Sequence, residues 1–138
     1  MVSRRNTKYH TNNGCKYFLK LHLILVCKYR KSLIVGSLEE DLKQILFEIS
    51  KISNFKIDTM ESDRDHIHLL LDYEPKVSVS SIANRLKSIS TNRIWKKHFE
   101  ILKQEFWKEK TFWSDGYFAC STGDVSTEAI RKYIDTQG

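Results

Sequence analysis

Two short stretches hold side chains able to do chemistry. In DRDHIHLLLDY (63–73), His66 and His68 stand two residues apart within an otherwise apolar run. Side chains of a strand alternate faces, so both imidazoles point one way, about 7 Å apart, while Ile67, Leu69 and Leu71 point the other. Two imidazoles on one face can share a metal ion or a phosphate; two solvated histidines would show the same spacing. In TEAIRKYIDTQ (127–137), Tyr133 and Gln137 are four apart. On a helix that spacing puts them on one face, about 6 Å apart along the axis. Gln137 offers a neutral oxygen to a metal, and Tyr133 a hydroxyl able to attack phosphorus. A tyrosine at such a place can equally be structural.

The elements that must position these residues follow from hydrophobic periodicity. YFLKLHLILVCKY (17–29) alternates, with Leu19, Leu21, Leu23, Leu25 and Cys27 on one face and Lys20, His22, Ile24, Val26 and Lys28 on the other, which predicts a long strand. Its length and its apolar row make it a candidate bare edge, open to pairing with a second copy. Ser37 to Glu40 reads as a capping box, opening a helix whose stripe is Leu38, Leu42, Ile45, Leu46, Ile49 and Ile52. FKIDTMES (55–62) predicts a strand that turns at DRD into the histidine strand. After Pro75, Ser78 and Ser80 can cap a helix with the stripe Val79, Ile82, Ala83, Leu86 and Ile89. Residues 99–115 suggest an irregular segment packing Phe99, Leu102, Phe106, Trp107, Phe112 and Trp113. GYFACST (116–122) is strand-like, Gly123 ends it, and Ser126 can cap the last helix, where Ile130 and Ile134 would seat it on a sheet. The order predicts an α+β fold: a ferredoxin-like βαββαβ sheet with an added C-terminal helix carrying the tyrosine.

The formal net charge is +6 over 138 residues, with a sequence pI near 9.2. That balance favours a polyanionic partner, nucleic acid first, over a basic surface kept for solubility. The cations gather in KYRK (28–31), NRLK (84–87) and NRIWKKH (92–98), often beside an aromatic, the chemistry of a strand-binding surface. Lys28, Tyr29, Arg30, Lys31, Arg85, Lys87 and Arg93 are the candidate DNA contacts. His22 shares a face with Lys20 and Lys28, and meets either nucleic acid or water. Three cysteines without C-x-x-C spacing indicate neither a disulfide framework nor a cysteine zinc site. No apolar run reaches membrane-span length and no signal peptide is evident, so a cytoplasmic protein with residues 1–138 forming one domain is expected.

DHIHLLLDY resembles the HUH motif (His, bulky apolar, His) of single-tyrosine transposases that act on single-stranded DNA in small prokaryotic insertion sequences. The resemblance runs from KYFLKLHLILVCKYRKSLIVG through RLKSIST and SDGYFACSTG to KYIDTQ. HUH, then GYF-x-x-S-x-G, then Y-I-x-x-Q in that order is a specific combination, although RLKSIST stands where that family more often has a glycine. The resemblance implies Tyr133 as nucleophile, forming a 5′-phosphotyrosine link, and His66, His68 and Gln137 as ligands of Mg2+ or Mn2+. Two imidazoles by themselves favour softer ions such as zinc or manganese. It further implies DNA hairpins near transposon ends as the substrate, no nucleotide cofactor, and a homodimer in which Tyr133 of one subunit completes the His66/His68 site of the other. The competing expectation is a non-catalytic ferredoxin-like module binding single-stranded nucleic acid, which explains charge and fold but leaves the His, Tyr and Gln pairs as coincidence.

Overall fold

Alternation of apolar residues along the first long strand sets the layers of the molecule. The computed structural model describes residues 10–12, 15–17, 19–121 and 127–137. The first described elements are β1 (His10–Asn12) and β2 (Cys15–Tyr17), paired antiparallel, which the sequence pattern did not announce. β3 (Lys20–Val26) is shorter than the predicted strand. Cys27 adds only an isolated bridge to Trp113, and Lys28–Arg30 wind into a 3-10 turn. Leu21, Leu23, Leu25 and Cys27 face the main core, while Ile24 and Val26 face the opposite layer.

The first helix, α1 (Gly36–Lys51), buries Leu38, Leu42, Ile45, Leu46 and Ile49 as its stripe predicts. Ile52 lies just past the helix end and is exposed. The capping box does not form. Gly36 enters the helix at φ +57, a left-handed conformation that glycine adopts without steric cost, and this draws Ser37 inside the first turn. Val35 then holds the capping position with no side-chain bond, and Glu39, not Glu40, is engaged, accepting from Ser62 Oγ at 2.6 Å.

β4 (Phe55–Asp63) and β5 (His66–Tyr73) form a hairpin turning at Arg64 and Asp65, with a bulge between Ile57 and Thr59. Ile67, Leu69 and Leu71 are fully buried, each contributing about 1.5–3 kcal/mol of transfer free energy. α2 (Val79–Lys97) starts at Ser78, whose hydroxyl accepts from Ser81 N–H at 3.1 Å. It buries Ile82, Ala83 and Leu86, then Ile94 and Trp95. Residues 99–105, expected to be irregular, form α3 (Phe99–Glu105) around Leu102. Beyond it Phe106, Phe112 and Trp113 are buried, whereas Phe99 and Trp107 are exposed. β6 (Phe118–Ser121) and α4 (Thr127–Thr136) are the last described elements; the proposed breaker Gly123 and cap Ser126 lie outside the described residues.

The sheet runs β4-β5-β3-β6, antiparallel throughout. With α1 between β3 and β4 and α2 between β5 and β6, this is the ferredoxin-like βαββαβ arrangement. β3 is therefore central, paired on both sides, and not the bare edge that its length suggested. Every apolar residue of β3 is covered, one row by α1 and α2, the other by α4. α4 lies across the second face, with Ile134 packed on Ile24 and Val26 beside Ile130, Tyr133 and Phe118. The histidine pair stands on that face.

Candidate active site and nucleic-acid interface

Register places the histidines. His66 is opposite Val26 on one side and Asp63 on the other; His68 is opposite Ile24 and Glu61. Both are partly buried and share the α4 face, as the i, i+2 spacing requires. Each imidazole has a partner. His66 Nδ1 is 2.9 Å from Asp65 Oδ1, and His68 Nε2 is 2.9 Å from Nδ1 of His22 on β3. His22, left open between nucleic acid and solvent by its sequence position, is thus against a member of the pair. Burial first, then the nearness of His22 and His66, holds the His68 imidazole below its ordinary pKa, with Glu61 opposing. The Asp65 carboxyl is pushed up by burial, but hydrogen bonds from His66 and Arg30 outweigh this and leave it below the usual range.

His66 opens into a cleft of about 390 Å³ between the 63–66 turn and α4, lined also by Arg30, Arg64, Asp65, Ile130, Arg131 and Asp135. Arg30 reaches it by an unusual route. Tyr29 and Arg30 both take positive φ, 59° and 52°, in the left-handed region that costs a side-chain-bearing residue about 1–2 kcal/mol. The strained turn brings the Arg30 guanidinium to Asp65 at 3.2 Å and to Asp135 of α4 at 3.4 Å. It therefore ties the histidine turn to the tyrosine helix.

Tyr133 does not line that cleft. Its ring packs on Phe118, 5.6 Å between centroids, and its hydroxyl is buried without a hydrogen-bond partner among the described residues. Burial pushes the phenol above its ordinary pKa. Gln137 Oε1 lies 3.3 Å from Ser114 Oγ, which is also 3.1 Å from the carbonyl of Val26, the residue opposite His66. Among the described residues no three of His, Cys, Asp and Glu stand together as metal ligands. The candidate donors are thus two imidazoles, each with an orienting partner, and the amide oxygen of Gln137, which Ser114 links to the strand position opposite His66. That set fits a divalent ion completed by phosphate and water oxygens, and not a closed structural site.

The candidate DNA contacts fall in separate places. Lys28 pairs with Asp115 at 3.7 Å, and Lys87 donates to the carbonyl of Gly116 at 2.9 Å. Both stand around the 115–116 bend, where burial lowers the Lys87 pKa. Tyr29 is exposed, with Lys28 Nζ 5.7 Å from its ring centre, and Lys31 pairs with Glu105. On the helical layer, Arg85 donates to Ser53 Oγ at 2.6 Å and Arg93 pairs with Glu48 of α1. Arg85 there borders a second cleft with Ser53, Phe55 and Val77.

Comparison with known proteins adds an independent line. Residues 15–137 match the family described as "Transposase IS200 like". The chain is 32% identical over 124 residues to the ISDra2 transposase TnpA of Deinococcus radiodurans, covering 90% of this chain and 87% of that one. It is 34% identical over 128 residues to the transposase for insertion sequence element IS200 of Salmonella typhimurium, covering 93% and 80%. A crystal structure of a protein assigned as a transposase from Deinococcus radiodurans R1 superposes with a TM-score of 0.85 at 29% identity, over 93% of this chain and 97% of that one. A REP-associated tyrosine transposase, solved bound to a REP hairpin, shares the fold with a TM-score of 0.56 at 14% identity, over 86% and 64%.

Proposed function

The chain belongs to the IS200-like transposase family, and from that premise we propose that it cleaves and rejoins single-stranded transposon ends through a 5′-phosphotyrosine link to Tyr133. His66, His68 and Gln137 would hold Mg2+ or Mn2+. Such an ion, when bound, draws charge from the scissile phosphate and favours attack upon it. The observation that carries the reading is the tyrosine helix lying across the same sheet face as both histidines, with His66 and α4 walling one cleft.

The chain's own groups divide the work. Asp65 accepts from His66 and fixes that ring with its other nitrogen unprotonated. Arg30 and Arg131 border the cleft and suit a phosphate backbone. Tyr133 Oη bonds to phosphorus as the bond from phosphorus to the 3′ oxygen breaks. The phenolic proton is released, the 3′ oxygen gains one, and nothing is oxidised or reduced. The phosphoester is conserved in the link, so the freed 3′-hydroxyl can reverse the step without a nucleotide cofactor.

Hairpins at the transposon ends are the proposed recognition element, and a homodimer the proposed assembly, with Tyr133 of one subunit serving the His66/His68 site of the other. In its own chain the Tyr133 hydroxyl meets no partner among the described residues and its ring rests on Phe118, which supports a productive position elsewhere.

The test is incubation with labelled hairpin-bearing single strands, with Mg2+ or Mn2+, followed by a denaturing gel. A protein–DNA adduct formed from single strand, much less from duplex, and lost with chelator is expected. Tight binding with no adduct in either metal would leave only a non-catalytic binding module.

A further inference from the structure

His68 has an orienting partner that its own strand does not supply. His22 opposes Leu70 in the β3–β5 register and His68 opposes Ile24, so His22 and His68 are diagonal neighbours on one face. Diagonal positions are about 7–8 Å apart, within reach of aromatic side chains. The rings meet with centroids 5.1 Å apart, tilted by 50°. A neutral imidazole has one protonated and one bare nitrogen, so a contact between two such rings holds a single proton. If His22 Nδ1 donated, His68 would accept at Nε2, carry its proton on Nδ1, and have no lone pair left for an ion. If His22 accepts, His68 donates from Nε2 and its Nδ1 is bare.

On the metal reading proposed above, we infer that His22 is a positioning residue of the site, accepting from His68 Nε2–H and so holding His68 in the tautomer whose Nδ1 can ligate an ion. It does for His68 what Asp65 does for His66. Both rings of the pair are thereby oriented by a neighbour, one carboxylate from the turn and one imidazole from the central strand. Groups that orient ligands in this way commonly change metal affinity by about 10- to 100-fold when removed.

The experiment measures Mn2+ binding to the full chain without DNA, by the electron paramagnetic resonance signal of free Mn2+. His22→Phe keeps a ring but removes the acceptor, and should weaken binding by about 10- to 100-fold. His22→Asn puts an amide oxygen close to where Nδ1 stood and should bind nearly as wild type. His68→Ala is the control for the underlying reading: if it leaves Mn2+ binding unchanged, the metal assignment itself is wrong. If His68→Ala weakens binding and His22→Phe does not, or if Phe and Asn variants lose affinity alike, the role given to His22 is overturned. Should His22→Phe fail to fold by circular dichroism, the imidazole nitrogen shifts of His68 in metal-free wild-type protein decide. Protonation at Nε2 is expected, and protonation at Nδ1 overturns the inference.

Discussion

His66 and His68 share one strand face, and each is turned by a separate partner, so they should act as one unit. Either His→Ala substitution is expected to reduce single-strand cleavage nearly as far as the double change, because half of an ion site supports little of its function. Chelator should reproduce the loss and Mn2+ restore activity at least as well as Mg2+. Cleavage rates that simply multiply across the two single variants would show that the histidines act separately. Arg30 and Arg85 are separated by the fold: one borders the His66 cleft, the other stands on the helical layer beside Ser53. On the DNA-binding reading proposed above, a strand crossing the cleft would meet Arg30, whereas Arg85, outside that cleft, would meet only a folded element extending beyond it. Arg30→Ala should weaken binding of strands with and without a hairpin and reduce the log–log salt slope by about 0.7, one phosphate's share. Arg85→Ala should matter only when the hairpin is present. Equal effects on both ligands would remove this division.

Element boundaries give a sharper stability test than core residues do. Ser78 caps α2 through a bond from Ser81 N–H, so Ser78→Ala should cost about 1 kcal/mol in urea unfolding. Ser37, drawn inside α1 by the left-handed Gly36, caps nothing, and Ser37→Ala should stay within about 0.5 kcal/mol of wild type. A larger loss at Ser37 would restore the capping box. The contrast shows what the sequence discloses. Alternation in β3 and β5 and the 3.6-residue stripes of α1 and α2 are local patterns enforced by burial, and the structure keeps them. Gly36 overrides the capping pattern because a single backbone dihedral shifts the helix start. The central place of β3 was illegible for another reason: an apolar strand looks alike at an edge or between neighbours, and only the pairing with β5 and β6 decides. α3 carries no helical stripe in the sequence, because Phe99 and Trp107 are exposed and Leu102 is the one buried residue of that helix. The histidine face could be read from spacing. Its tie to His22 could not, since it joins residues 46 positions apart, and neither could the strained turn that delivers Arg30.

For the molecule as a whole, the family supports a transposase role, and the proposed chemistry is shared between two chains. A two-fold dimer would carry two equivalent sites, suited to two transposon ends. Mixing a His66→Ala chain with a Tyr133→Phe chain, each inactive alone, should regain cleavage if the tyrosine helix serves the partner's histidines. No rescue after demonstrated subunit exchange would place each site within one chain. Either arrangement rests on the same proposed step, the covalent capture of a single strand by one tyrosine. Tyr117, partly buried against the main core, is the rival phenol in GYF. The most direct measurement is therefore peptide mass spectrometry of the nuclease-trimmed adduct formed on a hairpin-bearing single strand with Mn2+. The nucleotide mass is expected on the peptide containing Tyr133 and absent from the Tyr133→Phe chain. Finding it on Tyr117, or finding the adduct undiminished in Tyr133→Phe, would contradict the mechanism.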